Sequence, residues 1–227
     1  MLGIIFTGGD GPPPQVARKL IKETSMDTII IAADSGFLAA DRAGFKPDWV
    51  IGDMDSLEEQ APDMAKRLDS WPKERIIRHV HDKDNTDSEL AFSHAIEQNC
   101  DYIWIIGGGG GRIDHLFAIY SFFERDIFPQ RWITNNEDIR CIEAKDIEAK
   151  GKAKNEVCCR LEKNAIVSLL PLGSGPWKVN SVGLKWPLDN LVWKRGFFWL
   201  SNEAVSGEFS IVAKEGRFMV ILPIQED

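Results

Sequence analysis

The sequence predicts an α/β domain followed by an all-β domain, and three features of its 227 residues carry that prediction. Up to about residue 140, short apolar runs alternate with amphipathic stretches, the βαβ grammar of a parallel sheet with helices on both faces. From Glu143 to Lys154 the chain turns to Ala, Lys, Glu and Asp with Gly151, a composition that buries nothing. Beyond it, short alternating runs are separated by Gly, Pro, Asn and Ser turns. We therefore expect a Rossmann-like domain over 1–140, a β-sandwich over 141–227, and a flexible stretch at about 143–156.

Each element has its own signal. Ile4-Ile5-Phe6, Thr28 to Ala33, Trp49-Val50-Ile51, Ile76 to Val80 and Tyr102 to Ile106 read as buried parallel strands, being apolar without alternation. Between the first two, Gln15 to Glu23 is helical, with Val16, Leu20 and Ile21 inward. Phe37 to Arg42 is a short helix stopped by Gly44. Thr86-Asp87-Ser88-Glu89 has the capping-box pattern of a helix start. A further helix carries Ile113, Leu116, Phe117 and Tyr120 at helical spacing. In the second half, Ala165 to Leu170, Trp177 to Val182, Phe209 to Ala213 and Phe218 to Leu222 read as sandwich strands.

Composition narrows the function. Hydrophobic residues are 44% of the chain and charged ones 27%, which supports a packed core and argues against disorder. Lys and Arg total 27 against 35 Asp and Glu, a net charge of −8, so no general field attracts polyanions and nucleic acid is not an expected partner. An acidic protein still binds a nucleotide when metal ions bridge its carboxylates to the phosphates. Cys100, Cys141, Cys158 and Cys159 include no Cys-x-x-Cys pair, which fits a reduced cytoplasmic protein. No apolar run reaches the length of a signal core or a membrane span, so no membrane partner is expected either.

Ligands of open parallel sheets collect at the carboxyl ends of the strands, and here those ends are acidic or glycine-rich. The first strand empties into Thr7-Gly8-Gly9-Asp10-Gly11, the second into Asp34-Ser35-Gly36, the third into Gly52-Asp53-Met54-Asp55-Ser56. The fourth leads to Asp82-Lys83-Asp84-Asn85-Thr86-Asp87 and the fifth to Gly107 through Gly111, then Arg112, Asp114 and His115. One such Asp is ordinarily a helix cap; so many at one sheet edge are unfavourable unless cations sit among them. Asp53 and Asp55, two apart on an extended segment, would turn to one face and share Mg²⁺, with Asp34 and Asp87 completing an oxygen-rich shell. The glycine run opening onto a helix suits an anion, although it is no Walker A loop, lacking Gly-Lys-Ser/Thr. Arg112 offers a fork and Lys83 a point charge to phosphate. On these residues alone, three readings stand: a nucleotide-dependent transferase, a Mg²⁺-dependent Asp-type phosphohydrolase, and a nucleotide-binding protein without catalysis.

Taken in order, the motifs resemble those of the bacterial thiamine pyrophosphokinases. The likeness runs through Gly8-Gly9, Ala33-Asp34-Ser35-Gly36, Pro47-Asp48, Gly52-Asp53-Met54-Asp55-Ser56, Lys83-Asp84-Asn85-Thr86-Asp87 and Gly110-Gly111-Arg112-Ile113-Asp114-His115. It continues as Gly183-Leu184-Lys185-Trp186-Pro187-Leu188 and Ser201-Asn202-Glu203, while Lys145 to Arg160 matches none of its motifs. The resemblance implies transfer of the pyrophosphoryl group of ATP to the hydroxyethyl hydroxyl of thiamine, with Mg²⁺, giving thiamine diphosphate and AMP. By that likeness Asp53, Asp55 and Asp87 hold metal and act in catalysis. Gly9, Asp34, Ser35, Lys83, Asp84, Thr86, Gly110, Gly111, Arg112, Asp114 and His115 line the ATP and pyrophosphate end. Thiamine, a cation with a flat pyrimidine, asks for an aromatic wall and a few hydrogen-bonding groups, which Ser201 and Asn202 near Trp199 supply. The resemblance further implies a homodimer in which the β domain of one subunit completes the site of the other. Trp177, Trp186, Trp193 and Trp199 are candidates for the dimer core or, more simply, the sandwich core.

Overall fold

A computed structural model of the chain describes residues 1–55, 61–68, 71–78, 85–144, 154–205 and 207–224. The expected flexible stretch falls mostly outside the described residues. Two compact units emerge, one of Met1–Ile119 with Trp132–Asn136, the other of Tyr120–Arg131 with the chain from Glu137 onward. No described helix is long and apolar enough to cross a membrane.

The first unit has a sheet whose strands run in the order β4 (Ile76–Arg78), β3 (Trp49–Gly52), β2 (Thr28–Ala33), β1 (Leu2–Phe6), β5 (Tyr102–Ile106), β6 (Arg131–Ile133). β1 pairs in parallel with β2 and β5, β2 with β3, and β3 with β4. All five residues of β1 are buried, as an unalternating apolar strand demands. The chain order reverses between β1 and β5, so the loops after these two strands open at the switch point where doubly wound sheets bind ligands. Helices α1 (Pro14–Lys22), α2 (Gly36–Arg42), α3 (Pro62–Leu68) and α4 (Asp87–Glu97) alternate with the strands.

Local chemistry sets the helix ends. α1 begins with proline in its first turn, where a missing N–H is harmless, and buries Val16, Ala17 and Ile21. α2 ends just before Gly44, whose φ of +80° is the left-handed stop. α4 starts as its capping-box pattern predicts: Thr86 Oγ1 accepts the Glu89 N–H at 3.2 Å. Helix α5 (Ile113–Phe122) splits its expected apolar stripe: Ile113 is 67% and Phe117 60% exposed, Leu116 and Tyr120 are half-buried, and Ile119 and Phe122 are the buried residues. The helix has two apolar stripes, and Ile119 is the residue that lies against Gly108 of the loop after β5.

The second unit is two packed antiparallel sheets. One has the order β11 (Trp199–Glu203), β9 (Ile166–Leu172), β13 (Arg217–Pro223), β7 (Glu137–Glu143); the other β10 (Lys178–Val182), β12 (Glu208–Glu215), β8 (Glu156–Arg160). Alternation builds its core: Phe209, Ile211 and Ala213 from one sheet meet Val167, Leu169, Phe218, Val220 and Leu222 from the other. Each of the larger side chains contributes about 2 kcal/mol by burial. Of the four late tryptophans, Trp193 is in this core, Trp177 and Trp199 pack against it, and Trp186 alone is exposed, at 43%.

Candidate active site

At the carboxyl edge of the first unit, Asp34, Asp53 and Asp87 each offer an oxygen lying within 4.8 Å of the other two. Three elements bring them there. Asp34 ends β2 with a φ of +47°, a left-handed turn that asparagine and aspartate tolerate better than most residues. Asp53 follows β3, and Asp87 is the first residue of α4. Between them lies Gly52 at φ +149°, where a Cβ would stand 3.1 Å from Asp87 Oδ1 and 3.2 Å from the Cβ of Asp34. Only glycine combines that backbone angle with that gap. α4 is tied to the end of β1 by a 2.6 Å hydrogen bond between the hydroxyls of Thr7 and Ser88, one residue from Asp87.

All three carboxylates are half-buried, so their mutual repulsion is screened less than on an open surface. Their donors are all hard oxygens from Asp, and the edge is partly wet, which is the donor set and setting of Mg²⁺ rather than of zinc. Asp55 does not join them. Met54 is buried with a φ of +72° and Asp55 is already helical, so the segment is not extended and the two-residue spacing does not turn both carboxylates to one face. Asp53 instead caps Asp55, accepting its N–H through Oδ1 at 3.1 Å, and the third carboxylate of the close group is that of Asp34.

The loop after β5 lies beside the loop after β1. Gly108 N–H donates to Gly8 C=O, and Asp10 and Gly109 exchange a pair of bonds, Asp10 N–H to Gly109 C=O and the reverse. Gly9 takes a φ of +84°, and Gly107, Gly108, Gly110 and Gly111 also have positive φ, a backbone run that points successive N–H groups in directions closed to other residues. A side chain at Gly110 would strike Asp10, whereas Gly111 faces open space. Arg112 makes a bidentate pair with Asp114, Nε to Oδ1 at 3.1 Å and Nη2 to Oδ2 at 2.6 Å, and Asp114 also accepts the His115 N–H. The guanidinium's hydrogen bonds hold the Asp114 carboxyl below its usual range, and all three side chains are solvent-exposed. The pair fixes a planar cation at the mouth of the loop. Ser35 opens α2 with its hydroxyl beside Gly8, and Thr86 is occupied as the α4 cap. Lys83 and Asp84 lie outside the described residues. In the second unit Ser201 is exposed, and Asn202 is fully buried.

Comparison with known proteins decides the family. Residues 19–129 match the model of the thiamin pyrophosphokinase catalytic domain, and residues 154–217 match that of the thiamin pyrophosphokinase vitamin B1 binding domain. The chain belongs to the thiamine pyrophosphokinase family. It is 26% identical over 215 residues to thiamine pyrophosphokinase of Bacillus subtilis (strain 168), covering 93% of this chain and 94% of that one. It is also similar, at 26% over 160 residues, to thiamine pyrophosphokinase 1 of Oryza sativa subsp. japonica, spanning 66% of this chain and 55% of that one. Its fold matches the crystal structure of thiamin pyrophosphokinase from Geobacillus thermodenitrificans with a TM-score of 0.71, at 24% identity over 100% of this chain and 99% of that one.

Two parts of this thiamine pyrophosphokinase family site escape motif reading. Trp132 donates its indole N–H to Gly107 C=O at 2.7 Å, holding the glycine loop from beneath. Asn135 and Thr134, just past β6, stand against Gly109. The available signal was the short run Trp132-Ile133 ending in Thr134-Asn135-Asn136, a sixth strand finishing in polar residues at the same edge.

Proposed function

We propose that the carboxylate edge of the first unit is where this chain performs its family's reaction, the transfer of the pyrophosphoryl group of ATP to thiamine. The observation that carries the proposal is the meeting of Asp34, Asp53 and Asp87 at the switch-point edge. These three would hold Mg²⁺, which when bound neutralises the triphosphate and charge developing on the transferred and leaving oxygens. Asp55, two residues after Asp53, reaches the same ions through water in this reading. The glycine loop with Gly9, Gly110 and Gly111 receives phosphate oxygens on its N–H groups, and Arg112, steadied by Asp114 and beside His115, adds a planar cation. Ser35 and Thr86 fix the helix starts that flank it, and Lys83 and Asp84 belong to the same nucleotide end by family likeness. The thiamine hydroxyl attacks the β-phosphorus, the bond from that phosphorus to the α-bridging oxygen breaks, and AMP departs; Asp87 is our choice to take the hydroxyl proton.

Thiamine is assigned to the second unit, the one matched by the vitamin B1 binding model. That unit exposes aromatic side chains at Trp186, Phe197 and Phe198, which suit a flat heterocyclic cation. Exposed apolar side chains of this unit, among them Val192 at 77% and Leu200 at 59%, support a homodimer in which one subunit's β unit serves the other's catalytic unit. Four free cysteines favour the cytoplasm.

The test incubates the protein with ATP, Mg²⁺ and thiamine and separates nucleotides and thiamine esters by chromatography. Thiamine-dependent AMP with thiamine diphosphate is expected. ADP with thiamine monophosphate would place the attack on the γ-phosphorus, and phosphate release indifferent to thiamine would favour a hydrolase.

A further inference from the structure

Asn202 is the most completely buried polar side chain among the described residues, at 0% exposed. Its amide is also nearly saturated. Oδ1 accepts the Trp186 N–H at 3.2 Å and the Glu203 N–H at 2.9 Å, while Nδ2 donates to Trp186 C=O at 2.7 Å. Both acceptor positions and one donor are spent on backbone, and the side chain is fully buried. The residue that the sequence offers as a thiamine ligand bridges the backbone of Trp186 and Glu203.

The bridge follows from a local irregularity. β11 pairs with β9 through Trp199 opposite Leu169 and Asn202 opposite Val167, three steps against two, so one residue bulges. Ser201 has a φ of +59°, and its N–H is satisfied by Ser168 Oγ at 3.0 Å instead of a ladder carbonyl. The bulge leaves Ser201 at the surface and turns Asn202 into the core opposite the fully buried Val167. Further bonds run from Lys185 N–H to Glu203 C=O and from Val205 N–H to Gly183 C=O. At the far end of the turn, Leu188 N–H is held by Ser181 Oγ. What this frame presents to solvent is Trp186, with Lys185 Nζ 4.5 Å from its ring centroid and itself paired to Glu203 at 2.8 Å.

We propose that Asn202 is a positioning residue of the thiamine site, holding the Lys185–Trp186 turn so that the Trp186 indole meets the thiamine ring without touching the substrate itself. The inference rests on the assignment of thiamine to this unit. Glu203, by neutralising Lys185, keeps a positive charge from opposing the substrate cation.

A double-mutant cycle tests it. Asn202→Ala is expected to raise the KM for thiamine about tenfold, with the KM for ATP and kcat within about twofold. In a Trp186→Ala background the same change should add less than about twofold, because the residue it acts through is already gone. Additive losses, or equal rises in both KM values, would overturn the proposal. Asn202→Leu keeps about the same volume but removes every hydrogen bond of the amide, and a rise in thiamine KM like that of Asn202→Ala is expected; an unchanged KM would overturn the proposal. If neither variant folds, hydrogen exchange on the wild-type protein still decides: the Trp186 amide must be protected like a ladder amide, and rapid exchange there refutes the proposal. A wild-type protein that makes no thiamine ester at all defeats the thiamine assignment and this inference with it. Turnover of thiamine with an additive cycle defeats the inference alone.

Discussion

Asp34, Asp53 and Asp87 are held close at the expense of repulsion, which the fold tolerates because backbone geometry at Gly52 and Asp34 leaves no other place for them. Neutralising one should therefore separate activity from stability. Asp87→Asn is expected to lower kcat/KM by about 10²–10³-fold while leaving the metal-free protein as stable or more stable by about 1 kcal/mol. Adding Mg²⁺ should raise the melting temperature of the wild type, since it binds only the folded state, and raise that of the variant much less. Calorimetry with and without Mg²⁺ checks both; equal Mg²⁺ stabilisation of the two proteins would remove Asp87 from the metal site. Asp53 and Asp87 are readable from sequence as strand-end and helix-start residues. The geometry around Asp55 is not, because it depends on Met54 turning left-handed to bury its side chain, a choice made by the core beneath it.

Among elements, β7 of the second unit carries one buried carboxylate that gathers two arginines of the same unit. Asp138, 5% exposed, takes a bidentate pair from Arg131 at 2.7 and 2.8 Å and two further bonds from Arg140 at 3.0 and 2.8 Å. Burial by itself would raise the Asp138 carboxyl, but the two guanidiniums outweigh it and hold the group below its usual 3.8. A carboxyl depressed on folding stabilises the native state above its unfolded value and loses that contribution as pH falls through the lower folded value. Urea denaturation should thus show wild-type stability declining below about pH 4. Asp138→Ala, which strands two cations, is expected to cost about 3 kcal/mol at neutral pH and to flatten the acid decline. Unchanged stability at neutral pH would mean the triad contributes nothing. Neither β6 nor β7 was legible as a strand by apolar run alone, because Arg131, Asp138 and Arg140 interrupt the pattern, and only their mutual pairing makes them suitable for the interior.

For the molecule as a whole, the question is whether one active site draws on two subunits. Asp53→Asn disables the catalytic unit, and Trp186→Ala weakens the β unit's hold on thiamine, so that at thiamine far below the raised KM each parent alone turns over almost nothing. Co-expressed with different tags, they assemble at random, and half the dimers carry both lesions in different subunits. If sites are shared, each such dimer keeps one intact site, and the mixture recovers about a quarter of wild-type turnover. If each chain is self-sufficient or the protein is monomeric, the mixture stays as inactive as its parts. Sedimentation of the wild type supplies the independent reading of the oligomer.

The order of motifs along the chain by itself determined the family, the two architectures and the acidic sheet edge. Those depend on local signals: unbroken apolar runs for the parallel strands, a capping box at Thr86, alternation in Phe209 to Ala213 and Phe218 to Leu222. Tertiary structure alone decided which carboxylates meet, since Asp34, Asp53 and Asp87 are brought within 4.8 Å by register among β2, β3 and α4. It also exposed Ile113 and Phe117 of α5 while burying Ile119, which packs against Gly108, because the helix has apolar residues on more than one face and only tertiary packing selects among them. Asn202 shows the same division most sharply. Its place in a binding motif is visible in sequence, but the bulge at Ser201 aims its amide inward, and a single flipped residue in a strand exchanges surface for core.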